Sequence, residues 1–148
     1  EHAVGAGGEG EVRLDVDLQD TIALDVDSGT VVIDEPRTVG GKVNVAEGAS
    51  LKFVLATGVR PSLAARFFNI DPGATIVLSS ESYVADIPKD GETFKLVSGC
   101  NYADYSFQGV ICTTSGLLGL RRARLFVDGD GDIAVEIAPK VAFQILVR

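Results

Sequence analysis

The chain contains no Trp and no Met, a single His (His2), two Cys and five Pro in 148 residues. Each shortage narrows what it does. One His near the start, at His2, leaves Ser-His-Asp and Cys-His catalysis without a well-placed base. Two Cys and a remote His do not make the four ligands of a structural zinc site. No apolar run approaches the roughly 18 residues of a membrane span, and no stretch has the pattern of a signal peptide. Basic residues are scarce as well, 13 against 21 acids, for a net charge of −8. Residues 1–36 hold ten acids and one base (−9), and the rest hold eleven acids and twelve bases (+1). Nucleic acid is a poor partner for such a surface, because phosphate binding needs clustered positive charge. The one basic cluster, Arg121, Arg122 and Arg124, is short and reads as a solvated turn.

What is present is β-forming. Gly at 17 positions, with Val, Ile, Thr and Phe in short bursts, predicts an all-β chain with little helix. Hydrophobic content of 46% suits one domain with its own core. Residues 1–10, rich in Gly and Ala, are expected to form a flexible N-terminal arm, with a single domain over 11–148. Strand-like runs are expected at 12–18, 22–26, 31–34, 42–45, 50–55, 67–70, 75–79, 93–97, 124–127, 133–137 and 141–147. Pro61 followed by Ser62-Leu63-Ala64-Ala65-Arg66 is the one helical candidate, since Pro suits a first helical turn.

A repeat organises the middle of the chain. Asn44-Val45-Ala46-Glu47-Gly48-Ala49-Ser50-Leu51-Lys52-Phe53 returns 25 residues later as Asn69-Ile70-Asp71-Pro72-Gly73-Ala74-Thr75-Ile76-Val77-Leu78. A weaker copy, Val26-Asp27-Ser28-Gly29-Thr30-Val31-Val32-Ile33, precedes them with one residue deleted. A fixed-period strand, Gly turn and strand predicts units stacked on their own copies, a short β-solenoid. Duplicated hairpins in a β-sandwich or jelly roll are the alternative.

These segments, together with Asp90-Gly91-Glu92-Thr93-Phe94-Lys95-Leu96-Val97-Ser98 and the run from Arg124 to Val135, resemble bacterial autotransporter passengers and related secreted surface proteins over about residues 22 to 137. The resemblance implies a right-handed β-helix, export, an extracellular or cell-surface setting and an adhesive or structural role, with no catalytic residues to carry over. A start without Met fits a chain trimmed on export. In an exported protein Cys100 and Cys112 are expected to form a disulfide, worth about 3 kcal/mol for a loop of that size. In a cytosolic chain they would be buried thiols.

Remaining candidates are sites of binding rather than catalysis. Asp128, Asp130 and Asp132 have calcium-like spacing, but the sixth and twelfth positions of an EF-hand loop would fall on Ile133 and Pro139, so a hairpin turn is the better reading. Asp15 with Asp17, and Asp25 with Asp27, project to one face of a strand each and form the candidate divalent-cation (Ca2+) set. Tyr83, Tyr102 and Tyr105 are candidate glycan-stacking residues for the alternative function, a carbohydrate-binding module. The terminal segment carrying Val141, Phe143, Ile145 and Val147 is apolar on nearly both faces and is the candidate assembly strand. The function these readings favour is a non-enzymatic structural or adhesive protein. Its copies would form a fibre or layer by strand addition, the acidic first quarter meeting Arg121, Arg122, Arg124, Lys140 and Arg148 of a neighbour.

Overall fold

Alternating apolar and polar residues set the local conformation almost everywhere in the computed structural model. It describes residues 10–55, 60–80, 88–89, 91–99, 107, 109–116 and 121–139, with residues 3–6 and 139 described by backbone alone. Among the described residues there is no helix. The strands are β1 (Ala3–Ala6), β2 (Glu11–Arg13), β3 (Ala23–Val26), β4 (Thr30–Ile33), β5 (Pro36–Val45), β6 (Ser50–Leu55), β7 (Ser62–Ile70), β8 (Thr75–Ser80), β9 (Thr93–Ser98), β10 (Ile111–Gly116), β11 (Arg121–Val127) and β12 (Ile133–Pro139). They form two sheets, ordered β1-β3-β5-β7-β9-β12-β11 and β10-β8-β6-β4-β2. From β1 to β10 the chain alternates between the sheets, and each strand pairs in parallel with the strand two further on. Among the described strands only β9–β12 and β12–β11 are antiparallel.

The repeat is the register. Asn44 lies opposite Asn69 in the first sheet, and Ser50, Leu51, Lys52 and Phe53 lie opposite Thr75, Ile76, Val77 and Leu78 in the second. The weaker copy also falls into line: Val26 pairs with Val45 and Thr30 with Ser50, so its missing residue belongs to the turn between strands. A further unit at Gly109-Val110-Ile111-Cys112, which lacks the Asn, puts Ile111 on Thr75 and Cys112 on Ile76. The turns that join these strands share one shape. Ala49 N donates to Ala46 O, Ala74 N to Asp71 O and Val110 N to Phe107 O, each at 3.0 Å, and Gly73, third in its turn, sits at φ +90°. That is the geometry of a type II turn, which favours Gly there and Pro, here Pro72, just before it. The turns also bond to one another, Gly48 N to Gly73 O at 3.1 Å and Gly73 N to Gly109 O at 2.7 Å.

Stacked register makes stacked side chains. Columns Val31–Leu51–Ile76 and Ile33–Phe53–Leu78 point inward from one sheet, and Leu24–Val43–Phe68 and Val26–Val45–Ile70 from the other. All are buried in a single core. Each such residue contributes about 1.5–3 kcal/mol of burial.

Two expectations are corrected. Residues 61–66 are not helical; Ser62 begins β7, where Leu63 and Ala65 are buried and the strand is paired on both sides, to β5 and β9. Helix propensity in a six-residue run is too weak to compete with two ladders. Nor is 12–18 a strand throughout. After Arg13 the chain turns between the sheets, Leu14 N donating to Val32 O and Leu18 N to Thr38 O, both at 2.9 Å, with Leu18 bridged to Val39. Leu14 and Leu18 are buried while Val12 and Val16 are exposed, a four-residue spacing rather than a strand's two. Gly40 permits this crossing, because a Cβ there would stand 2.3 Å from Asp20 O. The segment read as an N-terminal arm contains β1, whose backbone pairs with β3.

Candidate functional site

The two ends of the stacked sheets differ, and the surface features of the molecule gather there. At the end formed by β1 and β2 the sheets finish together, each strand being the last of its sheet. All three residues of β2 are exposed. Of the four large exposed apolar side chains among the described residues, Val12 (51%) and Val16 (56%) are at this end, with Phe67 and Ile111 elsewhere. The outer surface beside β2 is a ladder of opposite charges. Lys52 Nζ lies 3.2 Å from Glu11 Oε2 and Arg13 Nε 3.2 Å from Asp34 Oδ2. With Asp15, Val32 and Val54 these side chains line an open cleft of about 450 Å3.

At the opposite end the first sheet extends two strands further than the second. The extra strands, β12 and β11, form an antiparallel hairpin whose start returns to β10: Thr114 Oγ1 donates to Arg121 O at 2.8 Å. Ala123 and Leu125 on β11 pack against the core. The hairpin thus stands over the end of the stack, joined by the Asp-Gly turn at 128–132. Asp128 Oδ1 accepts from the backbone N–H groups of Asp130 and Asp132 at 2.9 and 3.1 Å, and Asp132 Oδ1 accepts from Gly99 N at 3.1 Å.

Asp128, Asp130 and Asp132 bring carboxylate oxygens within 4.8 Å of one another, and Lys95 of β9 fills the space between them. Its Nζ lies 2.7 Å from Asp130, 2.7 Å from Asp132 and 3.6 Å from Asp128. Hydrogen bonds to Asp130 and then Asp132 push the Lys95 ammonium well above its ordinary pKa. Partial burial alone would raise the Asp128 pKa, but the N–H groups of Asp132 and Asp130 and the charge of Lys95 hold it below the usual carboxylate value. This chemistry clamps a hairpin to a sheet; the ammonium supplies the countercharge the carboxylates need.

The sequence-predicted residues are placed as follows. Asp15, Asp17, Asp25 and Asp27 are not drawn into one cation site. Asp17 Oδ1 accepts from Thr38 N at 2.9 Å, fixing the crossing after β2, and Asp25 Oδ1 accepts from Asn44 Nδ2 at 2.8 Å. Among the described residues the one group of three carboxylates close enough for an ion is that at 128–132. Cys112 carries a free thiol in line with Val31, Leu51 and Ile76, and burial pushes its pKa up to about 11. Cys100, the three tyrosines Tyr83, Tyr102 and Tyr105, and the assembly strand with Val141, Phe143, Ile145 and Val147 lie outside the described residues. No helix among the described residues is long and apolar enough to cross a membrane. Two features escaped the sequence reading: the role of Lys95, a cation 33 residues from Asp128 whose proximity depends on β9–β12 pairing, and the open β2 edge, whose only signal is the short Glu11-Val12-Arg13 run.

Comparison with known proteins returns no matching family model, no matching curated protein and no matching solved structure.

Proposed function

We propose that the chain is a structural or adhesive module of an exported, cell-surface or extracellular assembly, built as a short two-sheeted β-solenoid and joined to other copies by strand addition. The observation that carries this reading is the open end at β1 and β2. There two sheets stop together with a fully exposed edge strand, and two valines face solvent beside it. Edges of this kind pair with further strands unless they are covered or charged against it. The turn-by-turn stacking of the repeat supports the same role, because each unit adds surface and length without creating a new chemical site.

Sedimentation of the purified chain over a wide concentration range tests the proposal. Reversible, concentration-dependent association is expected. A protein that stays monomeric at every concentration overturns it, and a glycan-array search for a carbohydrate ligand then becomes the better question.

A further inference from the structure

From the β1–β2 end we infer that two copies associate about a two-fold axis, with β2 of one molecule pairing antiparallel to β2 of the other through Glu11, Val12 and Arg13. The inference rests on the strand-addition reading above and adds the partner, the register and the symmetry.

The backbone bonds already made decide which groups are free. Gly10 O accepts from Thr30 N, and Leu14 N donates to Val32 O, each at 2.9 Å. In a parallel ladder alternate residues serve opposite neighbours, so Gly10, Val12 and Leu14 face β4 while the N–H and C=O groups of Glu11 and Arg13 point off the edge. Two such edges placed antiparallel and centred on Val12 bring Glu11 opposite Arg13 of the second copy, and Arg13 opposite its Glu11. Both are hydrogen-bonded pairs, so the four outward N–H groups meet the four outward C=O groups. Val12 then lies against Val12 in the close, non-hydrogen-bonded position, which covers the exposed valine.

Charge agrees with this register. Glu11 and Arg13 are the only charged residues of β2, of opposite sign and symmetric about Val12, so each finds its complement in an identical copy. Such self-complementarity is the requirement of an isologous contact. A head-to-tail contact would instead place β2 on β10, whose Ile-Cys-Thr-Thr-Ser-Gly sequence carries no charge, and the β11–β12 hairpin overhangs that end. Among the described residues no strand lies beyond β1 or β2, so the same axis brings β1 to face β1 and continues both sheets. Exposed Asp15 lines the same cleft as Glu11 and Arg13 and adds negative charge beside the contact, which makes the Glu11–Arg13 pairs decisive.

The test is sedimentation velocity on the wild-type chain, on Glu11→Arg, on Arg13→Glu and on an equimolar mixture of the two variants. Both residues are exposed and the fold of each variant is checked by far-UV circular dichroism. Wild type is expected to form dimers and no larger species. Each variant alone places like charges across the axis and is expected to weaken dimerisation by roughly tenfold or more. The mixture places Arg against Glu at both positions and is expected to recover dimers. Open-ended polymers, or association unchanged in the single variants, overturn the two-fold pairing and leave strand addition standing. Single variants that weaken without recovery on mixing also overturn it. A wild-type chain that never associates overturns both readings.

Discussion

The stacked rungs from β3 to β8 and the β11–β12 hairpin enclose the same core by different means. Each parallel pair joins residues 19 to 26 positions apart, so its geometry depends on turns that reproduce one shape at every level. The hairpin joins neighbours through a local turn and is then held to the stack by the Lys95 clamp. The difference teaches where sequence changes are tolerated: the stack is sensitive to shape at its turns and columns, the hairpin to charge at its base.

The largest expected effect is in the columns. Phe53→Ala empties the centre of a fully buried column and is expected to cost about 3–5 kcal/mol. Leu125→Ala on the half-buried face of the hairpin is expected to cost about half that or less. Urea unfolding measures both, and equal losses would erase the distinction between stack and cap.

The turns give the next comparison. Gly73→Val forces a β-branched residue to φ +90° with its Cβ 2.8 Å from Glu47 Cγ, and a cost of about 1–3 kcal/mol is expected. Gly129→Ala in the hairpin turn meets nothing within 4 Å and is expected to leave the midpoint unchanged. A tolerated Gly73→Val would mean that the turns do not set the stacking.

Smaller still is the clamp, in which the Lys95 ammonium and Asp130 are open to solvent and the ion pairs therefore contribute modestly. Because Asp128 has a lowered pKa in the folded chain, its contribution is present above the ordinary carboxylate pKa and is lost as pH falls through the folded value. The Lys95 pKa is raised, so its contribution is present below the ordinary lysine pKa and is lost as pH rises through the folded value. Protection factors at residues 128–132, taken against the intrinsic exchange rate at each pH, should therefore fall in acid, and in Lys95→Met they should be low already near pH 7 while the midpoint of global unfolding moves little. Unaltered exchange in that variant would show that the Asp-Gly turn holds without its cation.

The smallest effect concerns Cys112, where stability is untouched and reactivity is the measure. With a pKa near 11, its thiolate at pH 8 is roughly a hundredfold scarcer than that of a free cysteine. Slow alkylation in the folded chain and rapid alkylation in denaturant are expected. Rapid labelling of the folded protein would mean that the Cys112 column opens at the β10 edge.

Much of this architecture was legible from one dimension. The Asn44 and Asn69 segments predict the 25-residue register because identical turns place equivalent residues on adjacent rungs. The hairpin at 128–132 is legible from Asp and Gly between two apolar runs. Residues 61–66 were not, since Pro-Ser-Leu-Ala-Ala satisfies a helix locally and only the ladders to β5 and β9 decide for strand. Nor was the crossing at 14–18, where alternating apolar residues suit a strand but the backbone must leave one sheet for the other.

The sequence by itself determined the strand content, the stacking interval and the turn chemistry, because these depend on neighbours a few residues apart and on a period written into the chain. The tertiary structure alone decided which end of the stack the β11–β12 hairpin covers, where the acidic residues find partners, and that Lys95 stands among three carboxylates. Those outcomes depend on which strands lie side by side in space, and charge and hydrophobicity along a single chain do not carry that information.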